Sequence, residues 1–282
     1  MSRFIAEEIT FLQASPTGII YTSLKETNEI VAWNKMHRHA VYSGHKNQIL
    51  EFLVTTSLIF SLAEESEVII FNTQSGQAVK TFNLGNPELT GLIHPITYVN
   101  KMLFYGGTTL ELWNVIEQEK IFTFNVSSPI ETVVQSPVVD VVAVGCQDGS
   151  IHLINLLYNE VLFKFSHKDG AVSSITFLTD STLGLSIMAS TSQSVGSIVF
   201  WDLNARKIMA EMPMAHQGKD VGHLMFIPNE PVLVSASEDD NSIKMWLFEK
   251  GQLKPRLLRE RSGHSEAPHM IRFYGGLDDP NM

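Results

Sequence analysis

Cysteine is nearly absent from this 282-residue sequence, and positive charge is scarce. The one cysteine, Cys146, cannot form a disulfide within the chain, and this count fits a reducing compartment. The 20 Lys and Arg residues are outnumbered by 30 Asp and Glu residues, which gives a formal net charge of -10. Such a surface repels phosphate backbones and anionic lipid as a whole, so any contact with nucleic acid must be local.

An apolar run long enough to cross a membrane is also missing. Glu7 and Glu8 interrupt the segment in which a secretory signal would need unbroken apolar residues. The uncharged stretch at 181–201 contains eight Ser or Thr residues and Gln193, which makes it too polar to span a bilayer. We therefore expect no membrane partner.

Motifs of enzyme chemistry are missing as well: there is no nucleophile elbow, P-loop, dinucleotide fingerprint or zinc-ligand spacing. The apolar neighbours of Cys146 predict a buried thiol at a strand end rather than a nucleophile. His37 and His39 would share one face of a strand, but zinc usually needs three or four ligands, and no Cys or carboxylate lies nearby in the sequence. We interpret them as solvated histidines of an edge strand. We expect no catalysis, no cofactor, no metal and no small-molecule substrate.

What the sequence does contain is a repeat of about forty residues. Six short segments alternate in side-chain character and end in a bulky anchor residue, as in IVAWN, LELWN and IVFWD. The anchors are Trp33, Phe71, Trp113, Ile154, Trp201 and Trp246. Their spacings of 38, 42, 41, 47 and 45 residues match a four-stranded propeller blade of roughly 40 to 45 residues. Helical repeats of this length would instead need apolar residues at i, i+3 and i+4.

Each repeat is predicted to contain four strands joined by turns. In the fourth repeat Asp148-Gly149 predicts a tight hairpin, because glycine takes a positive φ without a Cβ clash. We predict a single all-β domain over 1–282, a β-propeller of about six blades plus the first strand of a further, incomplete blade. The expected units lie near residues 7–45, 46–86, 87–127, 128–167, 168–216 and 217–264, with a partial unit at 265–282.

Four histidines fall in the phase of the repeat, each just before a predicted first strand: His45, His167, His216 and His264. They match the Gly-His element of WD repeats, where the imidazole joins an Asp, a Ser or Thr and the anchor Trp in a buried hydrogen-bond network. Such a network stabilises a blade and does no chemistry. One unit contains a nearly whole set, with Ser237 as the alternative hydroxyl. The set is His216, Ser235, Asp239 and Trp246.

Four stretches resemble a more specific family. They are HPITYVNKMLFYGGTTLELWNV (94–115), PVVDVVAVGCQDGSIHLINLLYNEVLFKF (137–165), IVFWDLNARKIMAEMPMAH (198–216) and LLRERSGHSEAPHMIRFYG (257–275). Together they resemble the amino-terminal propeller of the WD-repeat protein of the UtpB subcomplex, over nearly the whole chain. That family belongs to the small-subunit processome, the nucleolar particle that matures small-subunit ribosomal RNA with a box C/D small nucleolar RNA.

The resemblance implies a noncatalytic scaffold in the nucleus and nucleolus. Its implied partners are other WD-repeat subunits of the UtpB subcomplex and the pre-ribosomal particle, with room for a local RNA contact. Members of the family resemble two tandem propellers followed by a helical domain, and this sequence lacks the second propeller and the helical domain. The start also lacks one blade in comparison with the family.

A local RNA contact would need a basic segment, and the best candidate is at 250–261, where Glu249 and Glu260 dilute the positive charge. The candidate phosphate contacts are Lys254, Arg256, Arg259 and Arg261. The alternative function is a generic WD-repeat adaptor, such as a substrate receptor for a cullin ubiquitin ligase. Such receptors resemble one another in a Trp-Asp-x-Arg blade end, but here Arg206 follows Asp202 by four residues instead of two.

The final segment, MIRFYGG, supplies only the first strand of a further blade, whose anchor would fall at about residue 289, beyond Met282. We expect residues 270–273 to form a strand beside an open gap or an exposed sheet edge. We therefore expect this sequence to be a fragment of a longer protein.

Overall fold

The structure is a computed structural model that describes residues 9–15, 17–35, 37–95, 100–168, 170–192, 196–237, 239–263, 268 and 271. Its regular elements are 24 β-strands and one 3-10 turn, Glu64–Ser66. None of the helices among the described residues has the length and apolar character needed to cross a membrane. The repeat-phased His264 lies outside the described residues, as do residues 270, 272 and 273 of the predicted strand; Ile271, which is described, is not in a strand.

The chain divides into two compact units, and the boundary falls inside strand β12, between Thr123 and Phe124. The first unit contains three sheets. The first sheet is β1 Ile9–Ala14, β2 Ile20–Leu24, β3 Glu29–Asn34 and β4 His37–Tyr42. The second is β5 Ile49–Val54, β6 Leu58–Ala63, β7 Glu67–Asn72 and β8 Ala78–Asn83. The third is β9 Gly91–Ile93, β10 Lys101–Gly106, β11 Thr109–Asn114 and β12 Glu119–Asn125.

The second unit contains the other three sheets. The fourth sheet is β13 Ile130–Gln135, β14 Val141–Cys146, β15 Ser150–Asn155 and β16 Glu160–Ser166. The fifth is β17 Val172–Phe177, β18 Ile187–Ser192, β19 Ile198–Asp202 and β20 Lys207–Met212. The sixth is β21 His223–Phe226, β22 Val232–Ser237, β23 Ser242–Leu247 and β24 Arg256–Arg261.

Every sheet is a four-stranded meander in which consecutive strands are neighbours. Antiparallel pairing follows from the short connections, since strands joined by a tight turn must run in opposite directions. This is the architecture of a propeller blade, and the predicted all-β, six-bladed propeller fold is confirmed.

The core lies between adjacent sheets within each unit. Strand β14 is buried at all six residues, because a middle strand of a blade is covered on both faces. Phe165 on β16 and Phe177 on β17 pack with the anchor Trp201 in one cluster that joins the fourth and fifth sheets. The alternating apolar residues that identified the repeat thus fill the space between blades. Truncating such a ring to Ala typically costs about 3 to 5 kcal/mol.

The hairpin predicted at Asp148-Gly149 joins β14 to β15. Gly149 has φ +83°, and a Cβ at this position would lie 2.8 Å from the carbonyl oxygen of His167 and 2.9 Å from that of Gly170. The Asp148 Oδ1 atom accepts hydrogen bonds from the Ser150 amide at 2.9 Å and from the Ser150 hydroxyl at 2.6 Å. Both the positive φ and the close carbonyl oxygens require glycine here.

A β-bulge recurs where the outer, fourth strand of a sheet passes the anchor residue. It interrupts the pairing of the third and fourth strands in the first, second, fourth, fifth and sixth sheets. In the first sheet Trp33 pairs with Arg38 and Ala32 pairs with Ala40, which leaves His39 as the extra residue. The bulge therefore changes which face the following side chains occupy.

Candidate functional site

The repeat-phased side chains meet in the sixth sheet. Trp246 on β23 donates its indole N–H to the Ser235 hydroxyl on β22 at 2.8 Å. Ser235 Oγ lies 2.8 Å from Nε2 of His216, and the His216 Nδ1 atom lies 3.0 Å from Oδ2 of Asp240. Ser235 and His216 are fully buried. One continuous chain of hydrogen bonds therefore links His216, in the segment before β21, to the anchor Trp246.

The prediction of Asp239 as the acidic member was wrong. Asp239 is exposed, and the adjacent Asp240 contacts His216. The Asp240 Oδ1 atom also accepts the Ser242 amide at 2.9 Å, a local turn that points its carboxylate inward. The alternative hydroxyl, Ser237, is buried, and its Oγ has no hydrogen-bond partner among the described residues.

The order of donors in this network fixes the protonation of His216. An ionised carboxylate can only accept, so Nδ1 of His216 carries a proton and donates to Asp240. In the neutral imidazole Nε2 is then an acceptor, and the Ser235 hydroxyl donates to it while accepting the Trp246 indole N–H. Burial lowers the pKa of His216, although Asp240 acts in the opposite direction. Burial is the larger of these two effects, so the neutral imidazole is favoured.

Ser235, His216 and Asp240 have the hydrogen-bond order of a hydrolase triad, but their surroundings differ from those of an active site. A nucleophilic hydroxyl must face a substrate, whereas Ser235 and His216 have no exposed surface. The Ser235 oxygen is also occupied by the indole of Trp246. The arrangement can hold a blade together, and it offers no path for an attacked carbonyl group to reach the serine.

A second network of this kind lies in the second sheet, where the sequence indicated only His45. The Nε2 atom of His45 lies 2.7 Å from the Ser61 hydroxyl, and its Nδ1 lies 2.9 Å from Oε2 of Glu67. Glu67 begins β7, four residues before the anchor Phe71, at the position that Ser242 has in the sixth sheet. The longer glutamate side chain reaches the imidazole from there. An acidic residue four before the anchor is the signal that could have found it.

Two further blades connect the anchor to a hydroxyl eleven residues earlier. Trp33 donates to Thr22 at 2.8 Å, and Trp201 donates to Ser190 at 2.7 Å. Ser190 also lies 2.6 Å from Nε2 of His167. The same spacing separates Ser235 from Trp246, so a hydroxyl eleven residues before a tryptophan is a sequence signal for this contact.

In the third sheet the indole N–H of the anchor Trp113 has a different kind of hydrogen-bond partner. Phe104 on β10 is paired with Glu111 on β11 and has no hydroxyl to offer. The Trp113 indole N–H donates instead to Oε2 of Glu111 at 2.9 Å. Asn86 and Lys120 donate to Oε1 of the same carboxylate at 3.2 and 3.3 Å. Glu111 was not predicted as a structural residue, and its position two before the anchor on the same face of a buried strand is the signal.

Cys146 was predicted to be a buried thiol, and His37 and His39 were predicted to be solvated histidines. Cys146 is a free, buried thiol at the end of β14, and burial raises its pKa, which disfavours the nucleophilic thiolate. His37 and His39 are exposed on the outer strand β4. Over the described part of the chain, no group of three or more His, Cys, Asp or Glu residues is arranged to hold a metal.

The basic segment proposed for phosphate contact forms the outer strand β24 and the turn before it. All six residues of β24 and Lys254 are exposed. Because the bulge makes Leu258 the extra residue, Arg256, Arg259 and Arg261 share the face opposite to Trp246. Arg256 donates to Glu249 at 2.6 Å, which neutralises one of these charges. Of the remaining basic residues, Arg259 and Arg261 lie two positions apart on the outer strand β24, and Lys254 lies in the turn before it.

The sequence of this chain matches a known protein family. The first β-propeller family of WDR36/Utp21 matches residues 1–249. The U3 small nucleolar RNA-associated protein 21 homolog of Schizosaccharomyces pombe is 38% identical over 67% of this chain and 21% of its own length. The human WD repeat-containing protein 36 is 33% identical over 92% of this chain and 28% of its own length. This chain therefore spans less than a third of each of these relatives.

A solved structure supports the fold independently. The structure of U3-55K superimposes with a TM-score of 0.75 over 92% of this chain and 83% of that chain, at 18% identity. At this identity the likeness concerns the fold alone. The family match covers most of the sequence and includes all six anchors, five of which are tryptophan or phenylalanine. The chain belongs to the WDR36/Utp21 first β-propeller family.

Proposed function

We propose that this chain is a noncatalytic scaffold of the small-subunit processome that supports processing of small-subunit ribosomal RNA in the nucleolus. The observation that carries the proposal is the family match over residues 1–249. The relatives of budding and fission yeast are named as proteins associated with the U3 small nucleolar RNA. The buried, fully engaged Ser235 and His216 support the noncatalytic part, since this triad-like geometry serves packing.

A scaffold needs surfaces that other proteins can bind, and one end of the fourth sheet offers such a surface. The loop from β13 to β14 exposes Val138 and Val139, and the turn from β15 to β16 exposes Leu157 and Tyr158, the last at 70%. Both connections lie at the same end of a meander, and the Leu156 amide bonds to the Asp140 carbonyl oxygen at 2.7 Å. We call these four residues the apolar end of the fourth sheet. Contiguous exposed apolar residues are typical of protein interfaces.

A groove of about 360 Å³ lies beside the apolar end, between the fourth and fifth sheets. Arg206 lies over the Phe163 ring, 4.0 Å from the ring centroid, and both side chains line the groove. We propose that another WD-repeat subunit of the UtpB subcomplex binds here with apolar side chains. Aromatic and aliphatic residues that enter such grooves usually dominate the binding energy of an interface.

The test is affinity purification of the tagged chain from nucleolar extract, followed by mass spectrometry. Processome subunits are expected in the eluate, and Leu157→Ser with Tyr158→Ser should reduce the recovery of the directly bound subunit about tenfold or more. The matched control is Val79→Ser with Ile116→Ser, since these residues are similarly exposed and lie in the first unit. Recovery of a cullin adaptor without processome subunits would favour the ubiquitin-ligase alternative and refute the proposal.

Direct contact with RNA through β24 is a separate proposal. Lys254, Arg259 and Arg261 are exposed cations that form no ion pair with described residues, while Arg256 is held by Glu249. Phosphate contacts by such side chains make binding weaken with salt. Arg256→Gln with Arg259→Gln should flatten this salt dependence, and an unchanged slope would refute contact through β24.

A further inference from the structure

A second basic surface lies at the outer edge of the first sheet. The turn from β3 to β4 and the start of β4 contain Lys35, His37, Arg38 and His39, all exposed. Lys35, His37 and His39 form no ion pair with any described residue. The four side chains lie within five consecutive positions of a chain whose net charge is -10. The surface is therefore a local exception to the acidic character of the molecule.

Two grooves meet at this surface. The first, of about 370 Å³, is lined by Asn34 and the four basic residues. The second, of about 380 Å³, lies between the first and second sheets. His39, the extra residue of the β4 bulge, lines both grooves. The bulge thus directs a side chain of the outer strand into the space that joins them.

The second groove is lined mostly by side chains that can donate or accept hydrogen bonds. Thr56 and Gln74 line it, and their side chains form no hydrogen bond with described residues. Ser15 and Thr17 share one bond at 2.8 Å, so one of their two hydroxyl protons is left for a ligand. Burial raises the pKa of Tyr42 to about 12, and its neutral hydroxyl donates to the Thr73 carbonyl oxygen at 2.8 Å, which fixes the groove wall.

The chemistry of the two grooves selects the kind of ligand. Their linings contain cations, hydroxyls and amides, and none of the described residues that line them has a carboxylate. Hydroxyl and amide groups next to Lys and Arg are the usual contacts of phosphate and sugar oxygens. The same cations could also pair with the carboxylates of an acidic peptide. However, the second groove offers few apolar pockets for the side chains that anchor a peptide. The guanidinium of Arg38 is held 5.5 Å from the centroid of the Trp33 ring, so it is positioned in advance.

We propose that this surface, which we call the β4 groove, binds the phosphate and ribose backbone of single-stranded RNA. This deepens the proposed function by assigning an RNA-contacting site on the scaffold, and it rests on that function only for the identity of the RNA. Phosphates contact Lys35 and Arg38, and sugar or phosphate oxygens contact Thr56 and Gln74. Binding is local and independent of base identity, because contacts to phosphate and sugar oxygens carry no sequence information.

The experiment measures the affinity of the purified chain for a fluorescent single-stranded oligouridine at several salt concentrations. Lys35→Gln with Arg38→Gln removes two phosphate contacts, each of which contributes about 0.7 to the slope of log affinity against log salt. The slope should therefore fall by about 1.4. Between roughly 50 and 200 mM salt, the wild-type chain should lose about sevenfold more affinity than the variant. Thr56→Val should weaken binding without changing the slope.

Two variants with the same charge change serve as controls. Lys164→Gln with Lys207→Gln alters exposed residues of the outer strands β16 and β20 and should leave the slope unchanged. Arg256→Gln with Arg259→Gln tests β24. If only the β24 pair lowers the slope, or if all three pairs lower it equally, the assignment to the β4 groove is refuted. Lys35→Gln alone, expected to lower the slope by about 0.7, leaves the contact between Arg38 and Trp33 in place.

A polyglutamate peptide is the second probe. If it binds through Lys35 and Arg38 while oligouridine does not bind, the ligand is an acidic protein segment and the proposal is overturned. The purification experiment is independent of this one. Processome subunits recovered together with an unchanged slope would refute the β4 groove and leave the scaffold function standing.

Discussion

Replacing Ser235 with Ala tests the network of the sixth sheet most directly. The change removes one oxygen atom that accepts the Trp246 indole N–H and lies 2.8 Å from Nε2 of His216. His216 is fully buried, and Trp246 is 8% exposed, so water cannot easily replace the hydroxyl. Each buried polar group that loses its partner costs about 1 to 3 kcal/mol. We expect a total loss of about 2 to 5 kcal/mol in the free energy of unfolding.

Ser237 provides a matched control on the same strand. It is also fully buried, but its hydroxyl has no hydrogen-bond partner among the described residues. Ser237→Ala removes a desolvated hydroxyl without breaking a bond, so its effect should lie within about 0.5 kcal/mol of zero or be slightly stabilising. The two substitutions are chemically identical, two residues apart and equally buried. Their difference therefore reports the network and not the loss of a hydroxyl as such.

The assay is urea denaturation followed by far-UV circular dichroism. With a slope of about 3 kcal/mol per molar urea, a loss of 3 kcal/mol moves the midpoint down by about 1 M. A double-mutant cycle with Trp246→Phe, which removes the indole donor, should give a coupling energy of about 1 to 2 kcal/mol. If Ser235→Ala and Ser237→Ala have midpoints within about 0.2 M of each other, the network does not stabilise the blade.

Three further predictions concern acid, the third sheet and the hairpin of the fourth. Burial lowers the pKa of His45 and His216 below 6.5, so the unfolded chain binds more protons. Their stabilising contribution is present above about pH 6.5 and is lost as the pH falls below it; a urea midpoint that is equal at about pH 7.5 and 5.5 would contradict this. Glu111→Ala should cost about 3 kcal/mol and Glu111→Gln about 1, because only the glutamine can still accept the Trp113 N–H; equal thermal midpoints would refute the assignment. Gly149→Ala should cost about 1 to 3 kcal/mol in urea denaturation, and Gly76→Ala, at φ +71° with open space around it, should cost less.

The repeat was predictable because strand alternation and bulky anchors reflect a packing requirement that every blade shares. A ring at the end of the third strand fills the wedge between sheets, so Trp201 and Phe71 recur at the blade period. The residues around the anchors were less predictable. In the second sheet Glu67 is the acidic partner of His45, and in the third sheet Glu111 accepts the indole N–H of the anchor Trp113. Both long side chains reach their partners from other positions on the strand.

The choice between Asp239 and Asp240 could not be made from sequence, since both residues lie in the same turn and both are aspartates. The decision depends on backbone geometry: the Ser242 amide is within reach of the Asp240 carboxylate and holds it toward His216. The grooves beside β4 were hidden for a similar reason. Only the bulge, which depends on how the strand passes Trp33, brings His39 into both grooves.

The bulges at the anchors also protect the chain from binding to itself. Each of the six sheets ends in an outer strand whose free N–H and C=O groups could pair with a strand of another molecule. An extra residue breaks the even spacing of these groups and increases the local twist, so a straight incoming strand can pair over only a few residues. In β4 the bulge falls at the third residue of the strand. Outer strands built in this way are poor templates for sheet extension, and partners must recognise the molecule through side chains and loops.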